Sequence, residues 1–208
     1  MEDIDGGRDC IMKWIGLTGG IASGKSTVSR LLSQNKIPVI DADAISHELT
    51  QVNAQGYFEI VKYFGRDILD SDACINRKKL GAIIFNDLEQ RTKLENILHP
   101  LVQEKVYLLR SSYEQQGFKL CFYDVPLLFE KNLQAQFTKT VLVYAPVGIQ
   151  IDRLMRRNHL THSEAIARLK SQITLREKVK KADYCLDNST HIHDLEIQVK
   201  NLLSVLKR

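Results

Sequence analysis

The chain has 208 residues, with 29 Lys and Arg against 25 Asp and Glu, a net charge of +4 and a pI near 8.8. That length suits one domain with room for an inserted subdomain, and mild basicity suits an anionic small molecule better than a nucleic acid. Four scattered cysteines (Cys10, Cys74, Cys121, Cys185) lack C-x-x-C spacing, which argues against a disulfide framework or zinc site and for a reducing cytoplasm, and no apolar stretch approaches a membrane span.

In chain order, residues 1–11 are acidic at the start and lack an apolar core, so they read as an extension outside the fold and not as a signal peptide. The short apolar run "KWIGL" at 13–17 predicts a buried strand, and Gly19 to Ser26 then fits G-x-x-x-x-G-K-[ST]. By chance that pattern arises in about one chain of this length in a hundred, so the flanks decide. After Lys25, Val28, Leu31 and Leu32 share one helical face. Strand, glycine-rich turn and helix is the order a phosphate-cradling loop needs. Glycine allows the tight curl that turns successive N–H groups toward an anion, and the helix N-terminus adds partial positive charge. Gly19, Gly20, Ile21, Ala22, Ser23, Gly24, Lys25, Ser26 and Thr27 are therefore the expected nucleotide-binding residues. Lys25 is expected to reach the β- and γ-phosphates, and the Ser26 hydroxyl to help hold Mg²⁺.

Four further apolar runs, at 37–40, 118–123, 140–144 and 184–186, read as strands. Helix-length segments between them predict an α/β fold, a parallel sheet covered by helices on both faces. The stretch 45–116 reads as a helical insertion, with Pro100 bending or dividing its longest helix. Residues 147–180 read as two charged helices joined near His159, and the end as a helix capped by Ser189 or Thr190.

"IPVIDAD" sets Asp41 and Asp43 at the C-terminal end of the second strand, where ligands bind in open α/β sheets. Asp43 reads two ways: as the group that orients an acceptor hydroxyl and takes its proton, or as the cap of the following helix. "LCFYD" closes a strand on Asp124, which is either a Mg²⁺ ligand or an Asp in the turn before Pro126. Arg153 and Arg157, four apart with Arg156 beside them, suit a phosphoryl group under a closing lid, or make a solvated basic face. The pair His191 and His193, without a carboxylate or thiol cluster, and the run "REKVKK" at 176–181 read as surface.

Taken together, "GLTGGIASGKST", "VIDADAISHEL", "LHPLV", "YDVPLLFE", "RLMRRNHLTHSEAIARLKSQ" and "ADYCLDNS" resemble the dephospho-coenzyme A kinase family across residues 13–205. The resemblance implies a P-loop kinase core at about 12–44 and 117–208, a helical substrate-binding insertion at 45–116 and a lid at 147–180. It also implies transfer of the ATP γ-phosphate to the ribose 3′-hydroxyl of dephospho-coenzyme A. By position, Asp43 becomes the base, Lys25 and Ser26 the phosphate and Mg²⁺ residues, and Arg153 and Arg157 the lid arginines. His47 stands where the family often has Arg, and Asn158 where Asp usually follows the lid arginine. A nucleoside monophosphate kinase is the alternative within kinases. A regulatory GTPase would carry N-K-x-D, and Asn35-Lys36-Ile37-Pro38 ends in Pro instead.

Overall fold

The computed structural model describes residues 12–85 and 87–208. The expected extension at 1–11, and Cys10 with it, lies outside the described residues. Two compact units form, one from the chain up to Ile40 together with Ser112–Arg208, the other from Asp41–Ser111.

The sheet comprises β1 (Lys13–Gly19), β2 (Val39–Asp41), β3 (Leu120–Asp124), β4 (Lys139–Tyr144) and β5 (Tyr184–Asp187), in the order β2-β3-β1-β4-β5. β1 pairs in parallel with β3 and β4, and β4 with β5. Every residue of β3 is buried, which is why it reads as a continuous apolar run and not as an alternating one. Helices α1 (Lys25–Gln34) and α9 (Ile192–Leu206) bury Val28, Leu31, Leu32, Leu195, Val199 and Leu203 with Ile15 and Leu17 of β1. Residues of the opposite alternation on β1 meet a different set. Trp14 stacks on Tyr123 and Phe137, and a Cβ on Gly16 would lie 2.6 Å from Leu128. That alternation places the core on both sides of β1 and leaves its C-terminal end free to run into the glycine loop.

After β4 come three helices, α6 (Val147–Asn158), α7 (His162–Lys170) and α8 (Leu175–Lys181), where two were expected. His159, at the expected joint, takes a left-handed φ of 53°. The additional break at 171–174 has a local cause. Thr161 with Glu164 and Thr174 with Glu177 each form a capping box that starts a new helix. The closing helix starts on His191, not on Ser189 or Thr190; the Ser189 N–H is instead taken by Asp187 Oδ1 at 2.8 Å.

The second unit holds α2 (Ala42–Leu49), α3 (Gln55–Phe64), a 3₁₀ turn at Arg66–Ile68, α4 (Arg77–Phe85) and most of α5 (Leu88–Gln115). Its core gathers Ile60, Ile68 and Leu80 with Phe64, Leu94 and Ile97. α5 runs through Pro100 undivided. The proline withholds one N–H from the carbonyl four residues back, and Asn96 there is exposed to water, while Val102 and Val106 bury the helix beyond.

Candidate functional site

The loop between β1 and α1 takes the backbone conformations its glycines were expected to allow. Ala22 sits at φ 58° and Gly24 at φ 92°, ψ 24°, both left-handed. Ser23 N donates to Gly20 O at 3.0 Å, closing the turn, and Thr27 N donates to Gly24 O at 2.9 Å to start the helix. Space is as restrictive as conformation. A Cβ on Gly19 would lie 2.5 Å from Ser23 Oγ and 2.9 Å from Val143 O, and one on Gly24 would land inside the side-chain amide of Asn188. The Ser23 hydroxyl is fully buried without a hydrogen-bond partner among the described residues.

Lys25 opens α1, and its ammonium pairs with Asp124 at the end of β3. Asp124 is 2% exposed, and its Oδ2 also accepts from Ser29 Oγ at 3.0 Å, one helical turn after Lys25. β3 lies beside β1 with Asp124 opposite Leu17, so parallel register alone delivers this carboxylate to the base of the loop. Ser26 is exposed on the first turn of α1, and Thr27 follows it half-buried.

The two arginines expected in a lid, Arg153 and Arg157, part company. Arg153 reaches the loop, with Nη1 donating to Ser23 O at 3.4 Å and Nη2 to Asn188 O at 2.9 Å. Asn188, just after β5, donates Nδ2 to the same Ser23 carbonyl at 2.8 Å. Arg157 is exposed and turns along its own helix, Nε donating to Asn158 Oδ1 at 3.0 Å.

In the second unit, Asp41 caps α2. Its Oδ1 accepts from Asp43 N at 2.9 Å and Ala44 N at 3.0 Å. The capping role weighed for Asp43 therefore belongs to Asp41, because β2 runs one residue further than its apolar run. Asp43 stands exposed on the first turn and lines a cavity of about 530 Å³ with Ser46, His47, Cys74 and Arg77. An Arg77 guanidinium nitrogen contacts His47 Nδ1. A guanidinium is thus present beside His47, where the resemblance implies an Arg. Arg77, Asn188 and Ser29 were not singled out from the sequence. Asn188 sat within a quoted motif, but nothing in its spacing announced a contact with residue 23.

A family model described as dephospho-CoA kinase matches residues 13–194. A curated dephospho-CoA kinase from Listeria innocua is 44% identical, over 94% of this chain and 96% of that protein. A solved dephospho-CoA kinase from Campylobacter jejuni is 30% identical with a TM-score of 0.64, covering 94% of this chain and 97% of its own. A shikimate kinase structure from Bacteroides thetaiotaomicron shares the fold at 17% identity and a TM-score of 0.51. The glycine loop with its Lys25–Asp124 pair, and this agreement over nearly the whole length, lead to one conclusion: the chain belongs to the dephospho-CoA kinase family.

Proposed function

We propose that the protein transfers the γ-phosphoryl group of ATP to the ribose 3′-hydroxyl of dephospho-coenzyme A, the last step of coenzyme A synthesis, in a reducing cytoplasm. The observation that carries the reading is the left-handed turn at Ala22 and Gly24 leading into Lys25, within a chain of this family. The unit containing β1 is assigned the nucleotide, with 147–180 as its lid, and Asp41–Ser111 the acceptor.

The loop from Gly19 to Thr27 offers the phosphates the helix N-terminus and those backbone N–H groups not already donated by Ile21, Ser23 and Thr27. Lys25 exchanges its Asp124 partner for phosphate oxygens and follows the charge as it moves to the leaving group. Ser26 and Asp124 are the residues assigned to Mg²⁺, which when bound neutralises phosphate charge. A hydroxyl on the first helical turn and a buried strand-end carboxylate are hard oxygen donors of the kind this ion takes. Arg153, which contacts the loop through Ser23 O, is assigned to share charge with the nucleotide, and Arg157 to the closed lid. Asp43 orients the acceptor hydroxyl and accepts its proton, and Arg77 and His47 offer donors to acceptor phosphates.

The test is a coupled ADP-release assay with dephospho-coenzyme A, nucleoside monophosphates or no acceptor, with the product identified by mass. Turnover with dephospho-coenzyme A giving coenzyme A supports the reading. Faster turnover with a nucleoside monophosphate would replace it.

A further inference from the structure

Lys178 lies in a run that reads as a solvated basic face, yet it is 1% exposed while Arg176, Lys180 and Lys181 are exposed as expected. A buried ammonium needs partners to offset its lost hydration. Lys178 has two. Its Nζ lies 2.8 Å from Glu130 Oε1, a close ion pair, and donates to Gln172 Oε1 at 3.1 Å.

Gln172 sits in the short connection between α7 and α8. The same Oε1 also accepts the backbone N–H of Ile21, in the glycine loop, at 3.2 Å. An ammonium and a backbone N–H can only donate, so the amide is oriented with its oxygen toward both. The chain of contacts is Glu130, Lys178, Gln172, Ile21, four segments joined by three polar contacts. It runs beside a cavity of about 430 Å³ whose lining includes Val147, Ile151, Ile166 and Leu169. Apolar surroundings strengthen such contacts and raise the cost of breaking any one of them.

We propose that Gln172, held by the Lys178–Glu130 ion pair, is a positioning residue for nucleotide binding: it fixes the Gly20–Ile21 peptide so that the loop is preset before ATP arrives. The proposal rests on the assignment of ATP to this loop. Lys178 strengthens Gln172 as an acceptor and stops its amide from turning over. Without the acceptor, the Ile21 N–H turns toward water and the loop samples other conformations. ATP binding then carries the cost of restoring one of them. Once the phosphates are seated they hold the loop themselves, so the loss falls on ATP affinity and spares the chemical step.

The experiment uses the full chain and steady-state kinetics with each substrate varied. Gln172→Met keeps length and removes the acceptor. It should raise KM for ATP about three- to tenfold, the span one hydrogen bond carries, with kcat and KM for dephospho-coenzyme A within about twofold. The paired variant Lys178→Met with Glu130→Gln avoids leaving a lone buried charge and should raise KM for ATP in the same direction. Combining all three changes should cost no more than Gln172→Met alone, because the residues act as one chain. An unchanged KM for ATP in Gln172→Met, whatever its thermal midpoint, overturns the proposal, and so do penalties that simply multiply. Failure of the functional reading looks different: the wild-type protein itself would show no saturable dependence on ATP.

Discussion

Gly24→Ala places two separable penalties on one atom. The first is conformational: φ 92°, ψ 24° is left-handed, which costs a residue with a Cβ about 1–2 kcal/mol. The second is steric. The new Cβ occupies the position of the Asn188 amide, so that side chain must leave, and its 2.8 Å hydrogen bond to Ser23 O goes with it. Leaving a buried polar group short of a partner costs about 1–3 kcal/mol. Together that is about 2–5 kcal/mol, which for a chain of this size lowers the thermal midpoint by roughly 4–20 °C. Displacing Gly24 also shifts the peptides on either side of it, Ser23 and Lys25, and misplacement on the ångström scale costs on the order of 10²-fold in rate. Calorimetry and kcat/KM for ATP read the two consequences separately. A double variant, Gly24→Ala with Asn188→Ala, isolates the steric part. With the amide already displaced, removing it should cost clearly less than in the wild-type background. A midpoint within about 2 °C of wild type and a near-normal kcat/KM would show that neither the turn nor the Asn188 contact is as described.

Lys25→Ala should lower kcat by more than about tenfold, equivalent to about 1.4 kcal/mol of lost transition-state stabilisation; a smaller loss in the coupled assay would detach Lys25 from the phosphates. Asp43→Asn should leave the thermal midpoint near wild type, because Asp41 is the cap, while kcat falls by on the order of 10²-fold. Asp41→Ala should behave the other way on stability, losing about 1 kcal/mol of capping, and equal midpoints for the two variants would contradict that division. Burial works against ionisation of Asp183, but hydrogen bonds from Lys139 and Thr140 outweigh it and hold the carboxyl below the usual carboxylate range. A depressed folded-state value means stabilisation that is present above about pH 4 and is lost as pH falls through the lowered value. The midpoint difference between wild type and Asp183→Asn should therefore shrink as pH is lowered from 7 toward 3, and a difference that grows on acidification would refute the assignment.

The parts legible from sequence were those with a short-range signature. The glycine loop was legible because its residue types answer to backbone geometry, as Gly24 at φ 92° bears out. β3 was legible because a strand buried on both faces must be apolar throughout. The start of α8 was also legible in principle, since Thr174 and Glu177 carry the T-x-x-E spacing of a capping box, yet the charge of the segment favours reading 160–180 as one helix. What escaped were contacts set by the sheet order. Nothing local to Lys178 separates it from Lys180 or Lys181, and its burial depends on Glu130, 48 residues earlier. That Asp41 and not Asp43 caps α2 turned on where β2 ends, a difference of one residue that an apolar run cannot resolve.

The tie between Asn188 and Ser23 spans 165 positions of chain, and that between Arg153 and the same carbonyl spans 130. β1 is flanked on one side by β3 and on the other by β4, both made long after it. A ribosome therefore delivers the glycine loop well before the groups that brace it. Domains form as their chain emerges, but here the glycine loop cannot take its braced form until β5 is out and docked. Chains still short of Asn188 carry the loop's sequence without its braces, so the loop can settle into its braced form only once that residue has emerged.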